Sequence, residues 1–411
     1  MYDAVLHAMK NCGNSGRGAS ASSLEASRQI YAARECLCHF FGGTDPSRLV
    51  FTANATESLN IAIQGLFSPQ DHVITTQLEH NSVLRPLYMQ RERGVKLDIV
   101  PCCAEKNCGE ELEAESCHED KNCGEELDAE SCHVDKKCEE KRRGVIAVKD
   151  IEAAIRPDTK AIVCTHASNV TGNVVDIGAI GKIAREHDLL FIVDASQSAG
   201  ILPIDIEKMN IDVLCFTGHK SLLGPQGTGG MYVGERAGIR PLISGGTGVL
   251  SFLEKQPDAL PERLEAGTLN GPGIAGLMAG VQEIEKIGLQ NIYDSENSLA
   301  QLFEKEVRKI PGVKLYGDFA EEGDIIRCPV VSLNIGDVDS TEIGSWLAED
   351  YGISTRTGIH CAPLMHNYFK TQAQGMVRFS FSYYNTTSEV RQAIEAIAEI
   401  AKSIQQEEHD A

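Results

Sequence analysis

Short runs of apolar residues alternate with helical patterns through the first two thirds of the chain, and this alternation restricts the fold more than any other feature. The runs RLVF, HVITT (72–76), VKLDIVP (95–101), AIVCTHAS (161–168), LLFIVDAS (189–196), VLCFTGH (213–219) and GGMYVG (229–234) read as strands. Helical patterns separate many of them, as in SVLRPLYMQRERG (82–94), VKDIEAAI (148–155) and AIGKIAREHD (179–188). Strands that are apolar throughout need cover on both faces, and helices between them supply it. The expectation is an α/β fold with a large, doubly wound, mostly parallel sheet. An amphipathic helix over 24–41, ending at Gly42-Gly43, precedes the first strand.

After about residue 265 the texture changes. Helical patterns at 273–287 and 292–309 lead into strands near 313–316 and 329–335, a helix at 340–350, a strand near 376–383 and a terminal helix at 387–405. This predicts a smaller α+β C-terminal domain. The reading is a large domain over 14–265 and a small one over 266–411, joined by residues 1–13. With 38 Lys and Arg against 59 Asp and Glu, the net charge of −21 argues against nucleic acid or an anionic membrane as partner. No apolar run reaches the ~18–20 residues of a membrane span, and the start lacks a signal-peptide pattern, so a cytoplasmic protein is expected.

Seven of the 14 cysteines fall between Cys102 and Cys138, inside an insert over 102–143. The insert holds a tandem repeat, NCGEELEAESCHEDK (107–121) followed by NCGEELDAESCHVDK (122–136), and from 103 to 143 carries 14 acidic and 7 basic residues. With so few large apolar side chains it cannot bury enough area to offset its chain entropy, so a disordered acidic loop is one expectation. A zinc or soft-metal site on Cys103, Cys108, Cys117, Cys123, Cys132 and Cys138 is a second, although only Cys103/Cys108 approaches the usual C-x2–4-C spacing. A sulfur-accepting or redox-labile arm is a third.

Chemistry concentrates at strand ends. In CFTGHKSLLGPQGTGG, Lys220 follows an apolar strand and precedes a glycine-rich loop. Ligands of parallel sheets bind beyond the carboxyl ends of strands, so Lys220 faces a cleft and suits a Schiff base with an anionic cofactor. Taken alone, it reads better as a surface lysine in a loop. In VFTANATESLN a polar turn leads into a helix whose first N–H groups, at Ala55 and Thr56, suit a phosphate. In FIVDASQSAG, Asp194 ends a strand, where it could pair with a pyridinium N–H or merely cap the next helix. Further on, STRTGIHCAPLMH places Cys361 after His360, with Arg356 nearby. An exposed cysteine beside cationic groups is a nucleophile, whereas a buried one is only a small hydrophobe. Arg378, in MVRFSFSYYNT, offers a two-pronged donor for a carboxylate.

These motifs, in this order, resemble the class V aminotransferase family of pyridoxal-phosphate enzymes, in its cysteine desulfurase and selenocysteine lyase branch. The resemblance runs from about Gly13 to Ala401, the insert excepted, and implies the PLP-dependent transferase fold type I. It implies that Lys220 forms the Schiff base with pyridoxal 5'-phosphate. Thr217, His219, Ala55 and Thr56 become phosphate ligands, and His80, in LEHNSV, stacks on the ring. Asp194 becomes the partner of the pyridine nitrogen, with Asn169 and Gln197 beside the phenolic oxygen. Thr268, in EAGTLNGPG, resembles a residue that reaches the partner subunit's phosphate, which implies a homodimer. Cys361, in a compact R-x-G-x-H-C-A-P form similar to the group II type, becomes the persulfide cysteine. Arg378, with Arg356 as the next candidate, holds the substrate carboxylate.

The resemblance implies conversion of L-cysteine to L-alanine, with sulfur passed to Cys361 and on to an acceptor protein. A selenocysteine lyase acting on L-selenocysteine is the rival enzyme. A third reading is a weakened PLP-fold protein whose cysteine-rich arm binds metal or sulfur. Of two departures from the family pattern the first favours it, while the full set of Lys220, Asp194, Cys361 and Arg378 favours the desulfurase. The chain begins at about the helix that follows the family's first strand, so one wall segment is expected to be missing. The stretch GNSGRGASASS offers Ser20 where a histidine often stands.

Overall fold

The computed structural model describes residues 1–13, 20–103, 143–319 and 325–410. A seven-stranded sheet forms its centre, in the order β1 (Leu49–Thr52), β7 (Gly229–Val233), β6 (Val213–Thr217), β5 (Leu190–Asp194), β4 (Thr159–Thr165), β2 (His72–Thr76), β3 (Lys96–Val100). Only β7 runs against the others, pairing antiparallel with both β1 and β6. The strands β2, β5, β6 and β7 are buried at every position, as their unbroken apolar character requires of a sheet covered on both faces. One core layer gathers Phe41, Phe191, Phe216 and Leu214, and the other gathers Val50, Leu59, Val163 and Ile192.

The helices lie close to their expected positions: α2 (Ala21–Phe40), α3 (Ala55–Leu66), α4 (Asn81–Glu92), α5 (Val148–Ala153) and α6 (Ile177–Glu186). An additional helix, α1 (Tyr2–Asn11), carries only one buried residue, Ala8, which explains its weak sequence signal. It packs with α2 against α7 (Gly271–Ile287). α7 contributes Ile274, Leu277, Val281 and Ile284 to the core under the large sheet. At Gly280 its backbone meets the loop after Lys220. A Cβ there would fall 2.4 Å from the Leu222 carbonyl oxygen, so only glycine permits the approach.

A second core joins α8 (Leu289–Val307), α9 (Ser340–Glu349) and α11 (Thr387–Asp410) to a three-stranded antiparallel sheet, β10 (Val377–Ser380), β9 (Val330–Ile335), β8 (Val313–Tyr316). A short helix, α10 (Pro363–Phe369), follows Cys361. Its Met365 and Phe369 belong to the core of the large sheet, so it ties the two cores together.

The ends of the insert are anchored. Cys102 is buried, its N–H donates to Gln77 Oε1 at 2.8 Å, and its Sγ lies 4.0 Å from Met365 Sδ. Cys103 N–H donates to the Val145 carbonyl at 2.8 Å, and Asn173 Nδ2 donates to the Arg143 and Gly144 carbonyls. The remaining candidate ligands, Cys108, Cys117, Cys123, Cys132 and Cys138, lie outside the described residues, among which no cluster of three metal-ligating side chains occurs. Because loop length costs stability only logarithmically, exchanging 104–142 for a short Gly-Ser linker should shift folding stability by less than about 1 kcal/mol. A bridge from Pro101 to Gly144 would also delete Cys102 and cost about 1–2 kcal/mol more. Urea unfolding of the two deletions checks this, and failure of the 104–142 variant to fold would make the arm part of the core.

Candidate active site

Five strand ends and one loop of the smaller core converge on a cavity of about 330 Å³. It is lined by Ala55 and Thr56 after β1, His80 after β2, Asn169 after β4, Asp194 and Gln197 after β5, and Thr217, His219 and Lys220 after β6. Arg356 closes it from the other core. Every residue expected to hold the cofactor is therefore present, with one exception. Thr268 is exposed and lines other pockets, beside Arg34 and Glu265.

The local sequence explains each placement. Asn54 caps α3, its Oδ1 accepting from Glu57 N–H at 3.0 Å, while Glu57 reaches back to Ala53 N–H at 2.6 Å. This reciprocal cap leaves the N–H groups of Ala55 and Thr56 aimed into the cavity. Gly229 permits the turn to sit against β7, since a Cβ there would stand 2.7 Å from Asn54 Cα. His219 Nδ1 lies 2.9 Å from Thr217 Oγ1. Two N–H groups at a helix terminus, a hydroxyl and an imidazole form an anion cradle.

His80 caps α4, its Nδ1 accepting from Ser82 N–H at 3.0 Å. Burial lowers its pKa, so the ring is neutral and carries its hydrogen on Nε2. Asp194 is 3% exposed, and its Oδ1 accepts from Ser196 N–H at 2.9 Å and from the Ser196 hydroxyl. Its Oδ2 takes no hydrogen bond among the described residues, which suits a ring N–H. Lys220 is open to the cavity but flanked by protein. That environment pushes its pKa down, Asp194 opposes the shift, and Arg378 and Arg356 reinforce it.

Arg378 and Arg356 are neighbours through mutual backbone hydrogen bonds of 2.8 and 3.1 Å. Arg378 Nη1 donates to the Asn169 carbonyl at 2.9 Å, while its buried Nε has no partner among the described residues. Burial pushes this guanidinium down to about 10, which still leaves it charged at neutral pH. Cys361 is exposed, and its Sγ lies 3.9 Å from Arg356 Nη2. Both His360 (φ 52°) and Cys361 (φ 57°) are left-handed, a conformation that costs about 1–3 kcal/mol per non-glycine residue. The large domain holds the pair in place: Asn169 Nδ2 donates to the His360 carbonyl and Asn81 N–H to the Cys361 carbonyl, each at 2.7 Å.

Sequence reasoning missed Glu79, because nothing in LEHNSV marks its one acid as buried. It is fully enclosed, and one carboxyl oxygen accepts from Thr76 Oγ1 at 2.7 Å and Thr165 N–H at 3.0 Å. Burial pushes its pKa from 4.5 up to about 8. The folded protein thus keeps a proton that the unfolded chain loses, and stability falls as pH rises from about 4.5 to 8. Glu79→Gln mimics the protonated form and should flatten that part of the profile. Urea midpoints for both proteins at pH 6 and pH 8.5 check this, and an equal decline in both would remove Glu79 as the cause.

The model of the family described as "Aminotransferase class-V" matches residues 2–121 and 127–393. The chain belongs to the class V aminotransferase family. A probable cysteine desulfurase of Methanothermobacter thermautotrophicus is 33% identical over 394 residues, 94% of this chain and 88% of that protein. A cysteine desulfurase of an Enterobacter species is 29% identical over 93% of this chain and 85% of its own length. Among solved structures, an apo cysteine desulfurase of Thermococcus onnurineus is 29% identical, with a TM-score of 0.79 over 98% of this chain and 92% of that one. A cysteine desulfurase of Escherichia coli, captured with a sulfonic acid, is 25% identical, with a TM-score of 0.77 over the same shares. The fold is that of these class V enzymes: a large, mostly parallel sheet beside a small antiparallel one. Among the described residues, no helix is long and apolar enough to cross a membrane.

Proposed function

We propose that this class V enzyme is a pyridoxal-phosphate-dependent cysteine desulfurase that converts L-cysteine to L-alanine with a persulfide on Cys361. One observation carries the reading: Cys361 is held beside Arg356, and Arg356 lines the cavity whose walls bring together Lys220, Asp194 and His80. The donor set fits the cofactor. Ala55, Thr56, Thr217 and His219 would hold the phosphate, Asp194 the ring nitrogen and His80 the ring face. Asn169 and Gln197, on the same wall, would flank the phenolic oxygen. When bound, pyridoxal phosphate supplies an electron sink next to the substrate Cα.

The chain's own groups supply the rest. Arg378 binds the substrate carboxylate, using the donors left free by its bond to the Asn169 carbonyl. Lys220 moves a proton at Cα, a role helped by the lowered pKa of its ammonium. The sulfur of Cys361 attacks the substrate Sγ, the Cβ–Sγ bond breaks, and its electron pair stays with carbon. The departing sulfur remains on Cys361 as a persulfide, and a proton delivered to Cβ completes alanine. A cytoplasmic location, where thiols stay reduced, suits such a cysteine, as does an acceptor protein for its sulfur.

A homodimer accounts for Thr268. The loop beside it exposes Leu250, Phe252 and Leu253, and Gly267 N–H bonds to the Gly246 carbonyl within that loop. An apolar patch of this kind suits a second copy of the chain. A monomer mass at micromolar concentration would contradict it.

The function is tested by incubating the cofactor-loaded protein with L-cysteine and measuring alanine and sulfide. Arg378→Ala should lower kcat/KM by about 30- to 1,000-fold, mostly through KM, since it removes a charge-assisted fork. A change below about threefold would place the carboxylate elsewhere.

A further inference from the structure

Behind the left-handed pair that carries Cys361 runs a chain of side chains for which the sulfur chemistry above has no use. His360 is 3% exposed, and its Nε2 lies 3.1 Å from the carbonyl oxygen of Arg356. A carbonyl can only accept, so Nε2 carries the hydrogen and Nδ1 is left as an acceptor. That Nδ1 lies 3.3 Å from Nε2 of His366, which must then carry the hydrogen of the second ring. His366 is fully buried on α10, and its Nδ1 lies 2.8 Å from the hydroxyl of buried Thr371. The rings are nearly parallel, at 15° with centroids 5.5 Å apart. All four ring nitrogens are satisfied, and donation runs one way, from Thr371 through His366 and His360 to the Arg356 carbonyl.

Both rings are neutral. Burial pushes His360 down to about 3, with Arg378, His366 and Arg356 acting in the same direction, and burial also lowers His366. His360 is therefore no acid for the neighbouring sulfur. Its ring serves instead as a strut between α10 and the Arg356 peptide.

We propose that His366 and Thr371 are positioning residues for sulfur transfer: their directed hydrogen-bond chain holds the ring of His360 against the Arg356 carbonyl and so holds the Arg356–Cys361 loop with its sulfur at the Arg356 guanidinium. The inference rests on Cys361 being the sulfur-accepting residue. Without a donor at His366, the buried Nδ1 of His360 has no partner. The ring keeps its Nε2–H bond to the Arg356 carbonyl, which also accepts from Arg378 N–H, but nothing then fixes its far edge, so it can turn and carry the loop with it. The left-handed pair keeps its ties to Asn169 and Asn81 but loses the one on its far side.

The test uses full-length, cofactor-loaded His366→Gln, His366→Leu and Thr371→Val. Two readouts need no turnover: the absorbance of the bound cofactor, and the rate at which iodoacetamide alkylates Cys361, located by peptide mass. His366→Leu should lower kcat for alanine formation on the order of 10- to 100-fold, and Thr371→Val about 3- to 10-fold, with KM and cofactor absorbance nearly unchanged. Alkylation should slow in the same order as the sulfur leaves the guanidinium. Glutamine can donate to His360 and accept from Thr371, so His366→Gln should recover to within about threefold of the parent. Parent kcat in both His366→Leu and Thr371→Val would overturn the proposal. So would a His366→Gln variant as slow as His366→Leu while both retain cofactor. If His366→Leu does not fold, Thr371→Val against His366→Gln decides by the same criteria. A parent protein that makes no alanine from cysteine would refute the desulfurase reading alone. The alkylation rates would still judge the strut, and equal rates in all four proteins would refute it.

Discussion

Lys220→Ala should abolish alanine formation from L-cysteine, with a loss on the order of 10⁴-fold, while the protein stays folded. The amine lies at the carboxyl end of β6, open to the cavity, where burial and two guanidiniums favour its neutral form and Asp194 limits the shift. Alanine cannot carry the cofactor covalently or move a proton at Cα. Folding should survive because the side chain points into the cavity and contributes nothing to either core. Absorbance in the visible range and alanine release read the two effects separately. An unchanged yellow colour, with cofactor bound as tightly as in the parent, would put the covalent link on another residue.

Cys361→Ser should retain cofactor and bind L-cysteine, yet release alanine on the order of 10³-fold more slowly. The substitution keeps the size of the side chain in a loop already held by Asn169 and Asn81, so the left-handed backbone persists. What it removes is a sulfur able to take the sulfur of the substrate. Spectral titration with L-cysteine tests binding, and alanine formation tests transfer. Turnover at the parent rate would mean that sulfur leaves without this residue.

The features read well from the sequence were those set by periodicity. Apolar strands that need cover on both faces leave few arrangements, and Thr56, Asp194 and Lys220 were legible because each sits at or just beyond a strand end, whereas His80 and Asn169 came only with the family resemblance. What escaped was set by tertiary packing. The helix α10 is short and opens at a proline, so no helical pattern marks it, yet burial of Met365 and Phe369 in the large core makes the segment helical. Glu79 and His366 look like ordinary polar residues in the chain, and only enclosure turns one into a protonated acid and the other into a strut. Nor does any periodic pattern reveal that His360 and Cys361 are both left-handed. That geometry depends on contacts with Asn169 and Asn81, 191 and about 280 positions earlier in the chain.

The central claim is that sulfur passes from L-cysteine to Cys361. It is tested most directly by mixing the cofactor-loaded enzyme with L-cysteine labelled with a heavy sulfur isotope, without reductant, and mapping the label by peptide mass spectrometry. The account predicts one labelled sulfur on the peptide that contains Cys361, appearing with alanine in the first turnover and absent from Cys361→Ser. Alanine formed in the first turnover with no label on that peptide, or with the label on another cysteine in both proteins, would contradict it.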